Sequence, residues 1–407
     1  MRRRSLARVV CIGLVTATSV TVTGALAATA AGGAVPAAKA TGTPIRVFTA
    51  DGFYKGRTSV IPGVVIALKK LNASGGIGGR PIQLVTCDAT TANKVQACAR
   101  QAAGDPTIVA AVANFDLFGG FDAIAEAAGL PVLGTPAVAG DFSSPVFFTP
   151  GVGAFQVAGS AAIANDTLKA KKIALAVLDV PAGAALPTLV NVTVLTPRGN
   201  KLAKTVPIPP DAADMAPVVA AIPSDTDALL LAADGDTSAK LMVQVRKAGL
   251  TFPIVTVNGT QSANQLKQTV GSAATNVYGA GQWNIQAPGY RRYLADMKAE
   301  GYAANSLTVN DTTLTSWLHV QILKSVFDKI GPKNITRKAV LSQLRATTAF
   351  EDGGLTPTIN FSQKQTALGG ALSNLVNGTV VAYKYDVKHS KYVALNKGAF
   401  VSLFTSP

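Results

Sequence analysis

The chain has 407 residues, which suits two lobes better than one core. Hydrophobic residues make up 48 %, charged residues 14 % and aromatics 6 %, a composition that excludes extensive disorder and fits strands covered by Ala-rich helices, or simply a high-GC genome. The net charge is +15, and beyond residues 1–40 the basic excess is spread without a Lys/Arg block, which argues against nucleic acid as a partner; it suits an anionic cell envelope or an ordinary solvated surface.

At the N-terminus, Arg2, Arg3, Arg4 and Arg8 precede an apolar stretch that opens at Val9 and runs brokenly to Leu26, the pattern of a secretory leader. Small-residue cleavage patterns follow at Ala28-Thr29-Ala30 and Ala38-Lys39-Ala40. A membrane anchor is the competing reading, but Thr16, Thr18, Ser19, Thr21 and Thr23 dilute the run and no basic stop-transfer cluster follows. Cys11 lies too early for a lipid-modified cysteine, and Arg3-Arg4 matches a twin-arginine signal poorly. Residues 1–40 therefore read as a signal peptide and flexible N-terminus, with the mature protein exported to the periplasm or the outer face of the envelope. Their removal takes away five basic and no acidic residues, lowering the charge from +15 to +10.

From Pro44 onward strand-like and helix-like segments alternate. A β-branched run at 45–50 ends at Asp51-Gly52, and Val60, Val64, Ala67, Leu68 and Leu71 then recur at helical spacing. Glycines in 72–79 stop that helix, and a strand at 82–87 follows. A helix at 93–103, a strand at 107–113, a helix at 120–128 and a strand at 132–135 continue the order. Such alternation predicts parallel strands with helices on both faces. A second series opens with a long helix at 154–168 and a strand at 173–178. Helices at 214–221, 237–248 and 261–270 then alternate with strands at 227–232, 254–257 and 276–283. Helices dominate 284–350, at 288–300, 310–330 and 336–345. The tail predicts a hairpin, 379–385 with 392–395, around Lys388-His389-Ser390.

Cys87 ends a predicted strand and Cys98 lies on the following helix, which folds back over that strand. In an exported chain two such cysteines pair as a structural staple. Free buried thiols are the alternative, and two cysteines alone make no metal site.

The glycine run at 75–79 follows a helix instead of preceding one, so it is a helix stop and turn, not a phosphate cradle. The whole segment "LNASGGIGGRPIQLVTCD" resembles type I periplasmic solute-binding proteins of ABC importers, with the branched-chain amino acid (Leu/Ile/Val) binding branch the most similar. "DPTIVAAVANF", "AGLPVLGTPA" and "VRKAGLTFPIVTVNG" resemble, in order, the third strand with its ligand loop, the fourth strand, and the last helix–strand unit of the second lobe. The resemblance covers about residues 43–400. It implies an α/β fold of two Rossmann-like lobes with parallel sheets, joined by a three-segment hinge. Lobe 1 is expected at 41–155 and 284–358, and lobe 2 at 156–283 and 359–407. Crossovers are expected at 151–155, 283–287 and 355–360.

Such sheets bind ligands beyond the carboxyl ends of their strands. The loops to watch are 51–55, 114–117 and 137–139 in lobe 1, and 179–183, 233–236 and 258–261 in lobe 2. Where the family commonly places hydroxyl residues for a ligand carboxylate, this chain has Asn114 and Ala139. Where it commonly places an acid for the ammonium, Asn258 stands, with Asp116 or Asp234 as substitutes. Ala137 and Asp179 begin two of the loops, and Phe53, Tyr54, Phe115 and Trp283 are candidate aromatic walls or ordinary packing. The solute is thus a branched-chain amino acid or another neutral or aromatic compound.

Catalytic constellations are missing from the sequence. His319 and His389 are the two histidines, in no metal-ligand spacing, and no Gly-x-Ser-x-Gly elbow occurs. The expectation is a monomeric, cofactor-free binding protein that is not an enzyme. Its partners are a small-molecule solute and the membrane permease and ATPase subunits of an importer. A ligand-sensing receptor signalling to a membrane kinase is the alternative on the same fold.

Overall fold

The computed structural model describes residues 40–52, 59–257 and 263–404. Residues 1–39, where the leader is expected and Cys11 lies, are outside the described residues. Among the described residues no helix is long and apolar enough to cross a membrane.

The first sheet is parallel throughout. Its strands are β1 (Ile45–Asp51), β2 (Ile82–Asp88), β3 (Ile108–Asn114), β4 (Val132–Gly134) and β5 (Phe147–Phe148), ordered β2-β1-β3-β4-β5. Three helices connect them: α1 (Ile61–Ala73), α2 (Ala92–Gly104) and α3 (Phe121–Ala127). The central β3 is buried along its whole length, and its Ala110, Ala111 and Ala113 leave room for helices on both faces. After α1 the glycine turn behaves as a stop: Gly76 N–H donates to the Leu71 carbonyl at 3.0 Å with φ +65°. The Asn72 side chain brackets Ile82 from both sides, donating to its carbonyl at 2.9 Å and accepting its N–H at 2.8 Å, which fixes the start of β2. Cys87 and Cys98 form a disulfide, with Cα atoms 5.7 Å apart, that ties β2 to α2.

The second sheet mixes directions. β6 (Ile173–Leu178), β7 (Leu202–Ile208), β8 (Ala228–Ala232), β9 (Ile254–Thr256) and β10 (Val277–Gly281) are parallel. The tail adds β11 (Thr379–Asp386), β12 (Lys391–Ala394) and β13 (Phe400–Ser402), all antiparallel to their partners. The order is β12-β11-β10-β9-β8-β6-β7, with β13 on β11. The expected hairpin forms, and His389 in its turn pairs with Asp386 at 2.6 Å.

The helix expected at 154–168 is one continuous helical run of changing pitch. A tight turn at Gly153–Phe155 leads into α4 (Gln156–Ala162) and then a widened turn at Ile163–Thr167. Between β6 and the helix expected at 214–221 the sequence shows no element, yet α5 (Pro181–Ala184), α6 (Leu186–Val190) and the strand β7 occupy it. Prolines hid these elements. Pro181 and Pro187 sit in first turns, where no N–H is needed, and Pro207 lies on an edge strand. The remaining helices are α7 (Ala216–Ala220), α8 (Gly235–Lys247), α9 (Ala263–Thr269), α10 (Pro288–Ala299), α11 (Asp311–Ile330) and α12 (Arg337–Arg345).

Each sheet is covered on both faces by an apolar cluster. One face of the first packs on α1, α10 and α11 through Val64, Leu68, Tyr293, Leu318 and Phe327; the other packs on α2 and α3 through Val95, Cys98 and Phe121. Phe361 meets Phe148 edge-on at 5.5 Å in the first core, whereas Leu372 and Leu375 join the second. The chain therefore passes between the sheets the third time after Phe361, later than 355–360.

Candidate functional site

A cavity of about 240 Å³ is walled by residues of both sheets. This is just below the roughly 300–1,000 Å³ usual for small-molecule sites. On the first side stand Phe115 and Leu117 after β3, Thr135 after β4, and Asp311, Thr312 and Thr315 of α11. On the second stand Val177 and Leu178 of β6 and Val180, Gly183 and Leu186 around α5. Ala232, Ala233 and Asp234 after β8 and Val257 after β9 complete that wall. Every contributing strand presents its carboxyl end, where parallel sheets leave room for ligands.

The first and second crossovers meet at the cavity. Gln282 accepts the Gly153 N–H at 2.9 Å and donates to Asp311 Oδ2 at 2.9 Å, so one amide joins both crossovers to α11. Gly153 holds φ +53°, and a Cβ there would collide with Pro136. The Gln156 amide donates to the Ala280 carbonyl. Thr315 Oγ1 accepts the Trp283 indole N–H at 3.1 Å and donates to the Asp311 carbonyl at 2.8 Å. Asp234 caps α8 by accepting the N–H and hydroxyl of Thr237 at 2.9 and 2.7 Å. The side-chain hydroxyls of Thr135 and Thr312 make no hydrogen bond among the described residues, and both side chains are partly exposed in the wall.

The sequence model of the periplasmic binding protein family matches residues 54–372. The chain belongs to this family. It is a family of solute-binding proteins, and solved structures of its type I members share the α/β fold of parallel-sheet lobes. An extracellular ligand-binding receptor from Verminephrobacter eiseniae is 20 % identical with a TM-score of 0.71, over 86 % of this chain and 100 % of that one. A fatty acid ABC transporter substrate-binding protein from Thermomonospora curvata is 18 % identical with a TM-score of 0.73, over 91 % and 96 %. The branched-chain amino acid transporter substrate binding protein LivJ from Streptococcus pneumoniae, solved with isoleucine, is 16 % identical with a TM-score of 0.67, over 88 % and 100 %. No curated protein sequence matches the chain.

Of the residues singled out in the sequence, the structure brings Phe115 and Asp234 into the cavity wall. Asn114 lies just behind, 2 % exposed, and its Oδ1 has no partner among the described residues. Asp116 does not line the cavity: its carboxylate accepts the N–H groups of Phe118 and Gly119, both at 2.8 Å, and holds the loop after β3. Trp283 is fully buried behind the wall and reaches it through Thr315. Ala137 is buried, its N–H donating to Asp141 at 2.7 Å, while Ala139 and Asp179 are exposed and apart from the cavity. Phe53, Tyr54 and Asn258 lie outside the described residues.

A buried acid pair supports the first wall from behind. Asp141 Oδ2 accepts the N–H groups of Ala137 and Val138 at 2.7 and 3.1 Å. Neither oxygen of the neighbouring Asp122 meets an N–H or hydroxyl donor among the described residues. Burial drives both carboxyls up, Asp141 to about 7 and Asp122 well above the ordinary range, and the Asp141 charge adds to the rise at Asp122. Burial and mutual repulsion both favour the protonated, uncharged forms of these carboxyls. Burial likewise lowers His319 to about 3, with both ring nitrogens unpartnered among the described residues.

Sequence reasoning missed Thr135, Gln156, Gln282, Thr312, Val177, Leu178 and Leu186, while Val180, Ala182 and Gly183 fall in the expected loop 179–183. Thr135 ends a recognised strand, and the two glutamines flank predicted crossovers, so each had a positional signal. Thr312 had none: only the packing of α11 on the first sheet brings it to the cavity.

Proposed function

We propose that the protein is an exported solute-binding component of an ABC importer, which captures a small molecule between two closing lobes and passes it to a membrane permease. The cavity that carries this reading is walled by strand ends of both sheets and floored by two crossovers. Solute bridging the two walls makes contacts that exist only in the closed form, so it shifts the open–closed equilibrium toward closure. The transporter proteins named among the structural neighbours support the same role, and the reading assigns the protein no catalytic step. Two measurements test it. A panel of amino acids, amides, aromatic acids and polyols is screened by thermal unfolding, where a solute at a hundredfold its Kd adds about 2.7 kcal/mol. Small-angle scattering then follows compaction with the solute that binds. A panel without one stabilising member, or binding without compaction, would overturn the reading.

A further inference from the structure

We infer that the second sheet carries, at the end opposite the cavity, a lysine-rich surface that docks on an anionic lipid membrane. The inference goes beyond solute capture and shares with that reading only the export of the chain. Basic residues scattered in the sequence are brought to this end by the topology. Lys169 and Lys171 lead into β6, and Lys201 leads into β7. Because β11 runs antiparallel to β10, with Lys384 opposite Tyr278, the turn from β11 to β12 also lies at the starting end of the parallel strands. That turn carries Lys388, and Lys391 opens β12. All five lysines are exposed, and none forms an ion pair among the described residues.

The acids at this end are already engaged. Asp225 pairs with Lys172 at 2.5 Å, Asp166 with Arg198 at 2.9 Å and Asp386 with His389 at 2.6 Å. Asp227 accepts the N–H groups of Lys171 and Lys172 at 2.9 and 2.8 Å. The starting end of the first sheet uses its arginines differently. Arg46 pairs with Asp105 at 2.5 Å, while Arg80 and Arg337 donate to backbone carbonyls, among them those of Thr43, Pro332, Ala102 and Ile108. Those cations tie the first sheet together, whereas the five lysines stand in solvent. From β12 to β7 the second sheet spans six strand spacings, roughly 30 Å at about 4.8 Å each. So wide a row of charge matches no single small anion, but it matches an extended surface. For an exported protein that surface is the lipid bilayer, where each nearby lysine strengthens attachment about fivefold. The cavity lies at the carboxyl ends of the same strands, so docking by their starting ends leaves it open to solute.

Sedimentation of the protein with lipid vesicles tests this. Phosphatidylcholine vesicles with about 30 mol % phosphatidylglycerol should bind it at least tenfold more tightly than pure phosphatidylcholine, and raising salt from about 0.1 to 0.5 M should remove most of the difference. Lys169→Glu, Lys201→Glu and Lys391→Glu together should weaken attachment at least tenfold without moving the melting temperature. The same charge change at Lys298, Lys329 and Lys333, exposed lysines on and after the helices that cover the first sheet, should weaken it less than about threefold, because it lies beyond a Debye length from the docked end. Equal losses in the two triple variants would make net charge the cause and overturn the assignment to this end. Should the first variant fail to fold, Gln at the same three positions should still cost at least about fivefold. No attachment to the anionic vesicles, equal attachment to neutral ones, or binding of a soluble polyphosphate alone overturns the membrane as partner. Each of these failures leaves the solute screen, read by thermal unfolding, unaffected.

Discussion

The two walls of the cleft are built by opposite means. On the first sheet, the loops after β3 and β4 are held by buried carboxyls, Asp116 gathering the amides of Phe118 and Gly119 and Asp141 those of Ala137 and Val138. The chain enters this region through a distortion: Ala113 takes φ +54°, and the β3–β4 register shifts between Val112 and Asn114. On the second sheet, β6 and β8 run directly into a wall of Val, Leu and Ala side chains. Hydrogen bonds to buried carboxyls are directional and fix the backbone of these loops. Aliphatic packing is less directional and sets affinity by the area it removes from water. The first wall should accordingly answer to pH and backbone chemistry, and the second to side-chain polarity.

The largest expected effect breaks the comparison at the acid pair. A carboxyl whose folded pKa lies above its ordinary value stabilises fully below that value, 3.8, and the contribution is lost as pH rises through the folded value, about 7 for Asp141. Asp116 and Glu126 face Asp122 with further negative charge and deepen the loss. Unfolding stability from this source should fall by about 3–4 kcal/mol between pH 4 and 8, at ~1.4 kcal/mol per pKa unit. Asp122→Asn should remove the part of the decline that belongs to Asp122 and leave that of Asp141, which burial raises first; urea midpoints at pH 5 and pH 8 measure it. Next is the staple, which the first sheet alone carries among the described residues. Its eleven-residue separation makes reduction, or Cys98→Ser, cost about 3 kcal/mol in the chain-entropy account. Hydrogen exchange should report the loss in β2 and α2 and leave β6 and β8 protected. The second wall is broken by Leu178→Asp, a charge placed on the apolar surface facing the solute. Affinity should drop at least a hundredfold, about 2.7 kcal/mol, with a small change in melting temperature because Leu178 is half-buried.

The same contrast explains what the sequence disclosed. Strands that run as uninterrupted apolar segments, such as β3 and β6, and helices with clear spacing, such as α1 and α11, were legible from periodicity. The glycine stop after α1 and the Cys87–Cys98 pair were legible from local chemistry. The region from Pro181 to Pro210 was not, because its prolines imitate loop composition while occupying first turns and an edge strand, where they do no harm. At the site, residues at strand ends could be placed from order alone, which is how Phe115 and Asp234 were found. Which strand-end side chains face the cavity could not, since one extra residue at the Ala113 bulge reverses the facing of everything after it. Thr312 belongs to a helix nearly two hundred residues from Phe115 in sequence and reaches the cavity through tertiary packing alone.

The smallest prediction sharpens the comparison at that bulge. Ala111 and Ala113 lie two residues apart on β3, and both are buried, at 0 % and 1 % exposed. At Ala111 the change to Gly should cost about 1.5 kcal/mol, from one buried methyl at about 0.8 kcal/mol and the ~0.5–1 kcal/mol entropy of glycine. At Ala113 the same losses are offset by relief of the left-handed backbone, worth about 1–2 kcal/mol for an L-residue. Ala113→Gly should therefore be neutral within about 0.5 kcal/mol while Ala111→Gly is not, as denaturant midpoints would show. Equal losses at both positions would mean that no strain is held where the first sheet turns its chain into the cleft. If the difference is found, Ala113→Gly should still weaken solute binding several-fold, because a relaxed bulge no longer fixes Phe115 and, through the Asn114 carbonyl that accepts the Thr135 N–H at 3.0 Å, the hydroxyl beside it.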